Sequence, residues 1–159
     1  MAEFPAPSRH ARKLQASGIG LQVGEHVFTA IKFHHNRPAD YNTIVMAARF
    51  VGNALRKSPD RSPHATPPMA SRVGRCGNGL LAITDLHLLL YRRRGFGYRP
   101  DEAFWAAEVG SITPAKVHLA RALEIVFADG SRCELDAETA RARKHLFEVL
   151  DALRATRVS

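Results

Sequence analysis

Arg92, Arg93 and Arg94 are consecutive, Arg99 follows close behind, and Phe96 and Tyr98 stand among them. A guanidinium fork matches paired phosphate or carboxylate oxygens, and an aromatic ring beside it can enter a headgroup layer or stack on a base. Arg92, Arg93, Arg94, Phe96, Tyr98 and Arg99 are therefore a candidate contact for an anionic surface. The competing reading is a solvated hairpin end whose arginines keep a sheet edge from aggregating.

The other reactive side chains are arranged less suggestively. His26, the adjacent His34 and His35, and His64 follow no metal-ligand spacing, and neighbouring residues of a strand point to opposite faces. Cys76 and Cys133 sit far apart with no CxxC context, which excludes a zinc ribbon and reads as two reduced thiols. Neither has a His placed beside it in sequence, and no GxSxG, HExxH or P-loop occurs. Gly95-Phe96-Gly97 lacks the third glycine of a dinucleotide fingerprint. The chain thus reads as a non-enzyme, with no metal, no cofactor and no small-molecule substrate indicated.

The 159 residues suffice for one domain with a proper core. No apolar run reaches the roughly 18 to 20 residues that span a bilayer, and the first residues hold no apolar core of signal-peptide length. The expected location is cytoplasmic, with at most peripheral attachment to a membrane. The net charge of +8 is uneven: residues 1–75 carry 11 Lys and Arg against 4 Asp and Glu, and residues 76–159 carry 12 against 11. A basic half joined to a near-neutral one points to an anionic partner, whether nucleic acid, phospholipid or acidic protein.

The basic patch must be held by the stretch Gly79–Arg94, whose apolar runs break at Thr84-Asp85 and read as two buried strands. Leu86, Leu88 and Leu90 take one face of the second strand, and His87, Leu89 and Tyr91 the other. Gly95–Pro100 reads as a turn-rich loop, with a third strand near Ala103–Ala107 and Ile112-Thr113-Pro114 closing the connection. Upstream, residues 1–22 form a basic arm, either mobile or a short docking helix around Leu14. Glu25–His34 is strand-like, with Val27, Thr29, Ile31 and Phe33 on one face.

Asp40 suits an N-cap, and Tyr41, Ile44, Val45, Ala48, Val51 and Leu55 follow at helical spacing, so an amphipathic helix is expected over Tyr41–Arg56. Its apolar stripe suits its own domain's core, a protein groove or a membrane surface. Lys57–Arg72, rich in proline, serine and charge, reads as an exposed linker. Lys116–Leu119 offers a short strand. Leu123–Phe127 and Cys133–Leu135 alternate around Asp129-Gly130, a hairpin signature with a two-residue turn. Asp136 is expected to cap a last helix with the stripe Thr139, Ala142, Leu146, Val149, Leu150 and Leu153, leaving Arg141, Arg143 and Lys144 outward.

Short antiparallel strands followed by one amphipathic helix predict a mainly β, α+β domain, a small barrel or sandwich capped by its C-terminal helix. Gly79-Leu80-Leu81-Ala82-Ile83-Thr84-Asp85, Leu88-Leu89-Leu90, Phe127-Ala128-Asp129-Gly130 and the upstream Val23-Gly24-Glu25-His26-Val27 resemble the bacterial pleckstrin-homology-like (PH-like) domains, which in turn resemble GRAM domains. The resemblance implies one PH-like domain over residues 23–155, a helix and linker inserted at 40–72 after the first strand, and a tail at 156–159. It further implies a non-catalytic adaptor that contacts a protein partner, a second copy of itself or an anionic membrane surface. It carries over no lipid-site residue, because the place of the basic loop between the first two strands is taken by the insertion. The alternative is non-specific nucleic-acid binding through the basic N-terminal half.

Overall fold

The computed structural model describes residues 3–34, 68–74, 76–115 and 121–157. The helix expected over Tyr41–Arg56, the linker over 57–67 and the strand at Lys116–Leu119 lie outside the described residues. Among those described, seven strands form one antiparallel sheet with a C-terminal helix across it, an α+β architecture. The strands are β1 (Val27–His34), β2 (Asn78–Thr84), β3 (His87–Arg94), β4 (Gly97–Trp105), β5 (Val109–Pro114), β6 (Ala122–Phe127) and β7 (Arg132–Ala137), ordered β4-β3-β2-β1-β7-β6-β5. Among the described residues three helices accompany them: α1 (Arg9–Ser17), α2 (Met69–Gly74) and α3 (Ala140–Arg157).

The main core collects residues from every strand, among them Ile31, Leu81, Leu90, Phe104, Ile112, Ile125 and Leu135, together with Leu146 of α3. A flat sheet could not bring them together. The sheet therefore curls until Phe104 of β4 meets Phe127 of β6, with ring centroids 4.8 Å apart although four strands separate them in the ladder. Gly79 makes the β2–β3 contact possible, since a Cβ there would collide with the Tyr91 carbonyl. A second, smaller core lies on the opposite face of β1–β3, where Leu80, Ala82, Leu89 and Tyr91 meet Ala11 and Leu14 of α1. Both faces of the leucine hairpin are thus covered, as its alternation predicts. The first strand departs from simple alternation. A register shift between Val27 and Thr29 turns Val27 toward the smaller core, while Ile31 and Phe33 stay in the main one.

The basic opening is a docked helix and not a mobile arm, and polar groups hold it as much as its thin apolar face. β1 pairs with β7 only at Phe33 and His34, so its earlier residues lack a strand neighbour on that side. The Ser8 hydroxyl caps α1 by accepting from the Ala11 N–H (3.1 Å), donates to the Ala30 carbonyl (2.8 Å) and accepts from the Ala30 N–H (3.3 Å). Seven residues on, the Gln15 amide accepts from the Val27 N–H (2.7 Å) and donates to the Glu25 carbonyl (3.0 Å). Two helical turns rise about 10.5 Å and three strand residues span about 10 Å, so the two spacings match.

Several boundaries differ from the sequence expectation. Gly97–Pro100 is strand and not loop, because β4 pairs with β3 from Gly97 onward; Pro100 is tolerated since β4 is an edge strand. The third strand is correspondingly longer, and a single 3₁₀ turn, Ala106–Glu108, takes up its expected end. Ile112-Thr113-Pro114 belongs to β5 and does not merely close a connection. Met69–Gly74, partly assigned to the linker, is helix, its first N–H groups bonded by Asp129 and Ser131 of the β6–β7 turn. That turn spans Ala128-Asp129-Gly130, with the Gly130 N–H bonded to the Phe127 carbonyl and Gly130 alone needing the left-handed conformation (φ +80°). Asp136 lies within β7, and Thr139 caps α3 instead through the Ala142 N–H at 3.0 Å. Leu146, Val149 and Ala152 are the buried residues of α3, flanked by half-buried Ala142, Leu150 and Leu153. Arg143 is half-buried too, because its guanidinium donates to the Ala122 carbonyl at 2.9 Å.

Candidate anionic-surface site

A two-residue turn at Gly95-Phe96 joins β3 to β4, with Gly95 at φ +57° and Arg94 opposite Gly97. Continuing inward, Arg93 faces Tyr98 and Arg92 faces Arg99 across the strands. Directly paired residues share a face and neighbours along a strand alternate, so the pairing divides the candidate patch. Arg92, Arg94 and Arg99 take the face that carries Leu88 and Leu90 further down, and Arg93 and Tyr98 take the other. Phe96 lies at the tip, fully exposed at 111%.

Two of the six residues are tied down and four are offered to solvent. Tyr98 is half-buried against the smaller core. Arg92 is half-buried and pairs with Asp101 at 3.5 Å, where a register irregularity between Leu90 and Tyr91 leaves Asp101 as the extra residue of β4. Arg93, Arg94, Arg99 and Phe96 are exposed. Like charges directly opposite each other, as at Arg92 and Arg99, work against the hairpin unless an anion lies near. Asp101 supplies one within the chain and leaves the net charge of the tip positive. A shallow depression beside the turn is lined by Cys76, Asn78, Arg92, Arg93 and Gly95.

At the other end of the same strands lies a polar cluster that sequence reading missed. Glu25, 2% exposed, accepts hydrogen bonds from the Thr84 hydroxyl (2.5 Å), the His87 Nδ1 (2.8 Å) and the Gln22 N–H (2.8 Å). Burial penalises its charge, yet the hydrogen bonds from Thr84, Gln22 and His87 and the imidazole's charge outweigh that and hold the carboxyl below its ordinary range. Asp85 in the β2–β3 turn adds a bond from the His26 N–H at 2.9 Å. The cluster ties the approach to β1 onto the β2–β3 turn, and Trp105 lies over the His87 ring at 4.2 Å. Glu25 and His87 are 62 residues apart, so the available signal was only a Glu before one strand and a Thr-Asp-Leu-His turn in another.

Neither thiol has the character of a nucleophile. Burial, then the hydrogen bond and charge of Asp101, push Cys76 up to about 12, and burial with the charges of Glu124 and Glu134 pushes Cys133 to about 12. Among the described residues no group of three or more His, Cys, Asp or Glu side chains is placed to hold a metal. No helix among them is long and apolar enough to cross a membrane. The partner-helix candidates Tyr41, Ile44, Val45, Ala48, Val51 and Leu55 lie outside the described residues. No family model, curated protein or solved structure matches this chain.

Proposed function

We propose that the protein is a non-catalytic binding module of the PH-like kind that docks on an anionic membrane surface through the β3–β4 hairpin. The observation that carries this reading is Phe96, fully exposed at the tip of a tight turn and bracketed by exposed Arg93, Arg94 and Arg99. A lone aromatic on such a tip contributes nothing to the core, and it can enter the headgroup layer while the guanidinium groups meet lipid phosphates. Each basic residue near an anionic leaflet contributes about 1 kcal/mol, so the exposed arginines together favour reversible, salt-sensitive attachment. The strand order with a C-terminal helix supports the PH-like part of the reading.

Co-sedimentation with phosphatidylserine-containing vesicles tests it. The wild-type chain is expected to bind at low salt, to bind phosphatidylcholine vesicles far less, and to detach as salt rises. Arg93→Glu with Arg94→Glu should weaken binding by at least about tenfold, and Phe96→Ser should reduce it without changing Tm. If the wild type does not sediment at low salt, the membrane reading falls and an adaptor for a protein partner remains.

A second reading, non-specific nucleic-acid binding, is favoured by Arg9, Arg12 and Lys13, all exposed on α1. Because Ala11 and Leu14 of the same helix are buried, the three cations are best changed to Gln in the full chain. A shallower salt dependence of DNA affinity in that variant would support the reading.

A further inference from the structure

A half-open cavity of about 150 Å³ lies between the β2–β3 end of the sheet, β5 and the last turns of α3. Ile83, Leu88, Val109, Ile112, Leu150 and Leu153 supply its apolar wall. Its ionisable lining is His87, whose Nδ1 is held by Glu25, with Arg154 and Arg157, and among the described residues no carboxylate lines it. Arg154 is positioned by two contacts, donating to the Ile112 carbonyl of β5 at 3.4 Å and to Asp151 at 3.1 Å. Arg157 has no ion-pair partner among the described residues. Asp151 offsets the charge of Arg154, and the C-terminus of α3 offsets about half a unit more, which leaves the charge of Arg157 to favour an anion.

We propose that this cavity binds a small apolar monocarboxylate, an aromatic or short branched acid. Its hydrocarbon part occupies the chamber and its carboxylate meets Arg154 and Arg157. The size argument is that a half-open cavity of this volume matches a group about as large as benzene and is far smaller than the paired chains of a phospholipid. The charge argument selects the head group. Arg154 is shared with Asp151, so the charge of Arg157 disfavours a cation here, and a carboxylate offers the guanidinium donors bidentate acceptance. Ser111 adds a hydroxyl-bearing residue to the lining for orientation, whereas the Thr84 hydroxyl is already engaged by Glu25 and the His87 backbone. This site is separate from the β3–β4 hairpin and does not depend on the membrane reading.

The test is calorimetric titration of the full chain with benzoate, using benzyl alcohol and acetate as comparators. Saturable binding of benzoate, tighter than of either comparator, is expected. Arg154→Gln with Arg157→Gln should weaken benzoate by about tenfold or more, the loss of one charge-assisted hydrogen bond. Leu153→Trp should fill the chamber and abolish binding, with amide NMR spectra reporting that each variant is folded. The hairpin variant Arg93→Glu/Arg94→Glu should bind benzoate as the wild type does, which keeps this site distinct from the membrane contact. Benzoate binding no tighter than acetate, or unchanged affinity in the folded arginine variant, would overturn the proposal.

Discussion

Glu25, which ties the approach to β1 onto the β2–β3 turn, is a carboxylate held almost out of water by three donors. Such a group stabilises the fold only while ionised and fully bonded. Its pKa is lower in the folded chain than its ordinary value of 4.5, so the unfolded chain holds more protons in the acid range. The stabilisation is therefore complete above about pH 4.5 and is lost as pH falls through the folded-state value. Glu25→Gln should cost about 2 kcal/mol at neutral pH and flatten the acid limb of stability against pH, both read by urea unfolding across the pH range. An unchanged acid limb would show that other carboxylates carry it.

At the scale of elements, α1 substitutes for a missing strand. Where β7 diverges from β1, Ser8 and Gln15 satisfy backbone groups of Ala30, Val27 and Glu25 that would otherwise face the gap. Unpaired buried backbone groups cost more than a hydrogen bond gains, so these two side chains outweigh what their polarity suggests. Ser8→Ala removes a helix cap and two contacts to Ala30, and is expected to destabilise by about 2 kcal/mol. An exposed cap elsewhere, Thr139→Ala, should cost nearer 1 kcal/mol. Thermal unfolding of the two variants side by side checks the order, and equal losses would mean that the Ala30 contacts contribute little.

At the scale of the whole molecule, the described strands are joined in one curled sheet. Cys76, in the turn before β2, and Cys133, on β7, belong to the same main core, with Phe104 and Phe127 linking its two halves. With both thiols pushed to about 12, roughly one in ten thousand is thiolate at pH 8, and burial blocks the reagent as well. Both cysteines are expected to resist a disulfide reagent in the folded state and to become reactive with one rate constant, that of global unfolding. Two clearly separate rates would instead mark the β1–β4 and β5–β7 halves as independent units.

Local pattern carried much of this architecture. The alternation in Gly79–Arg94, the Asp-Gly hairpin and the α3 stripe each state a burial period that only one element type satisfies, and they predict the leucine hairpin, β6–β7 and the closing helix. The arginines and aromatics of the tip were legible for the same reason, being consecutive in the chain. Tertiary structure alone decided how that tip divides between faces, since cross-strand register sets which arginine stands opposite which. It also decided the docking of α1, the cap at Thr139, the Glu25–His87 pair and the cavity under α3. Apart from the Thr139 cap, a local bond to the Ala142 N–H, each of these depends on groups distant in sequence, and Glu25 and His87, 62 residues apart, have no shared period through which a sequence could announce them.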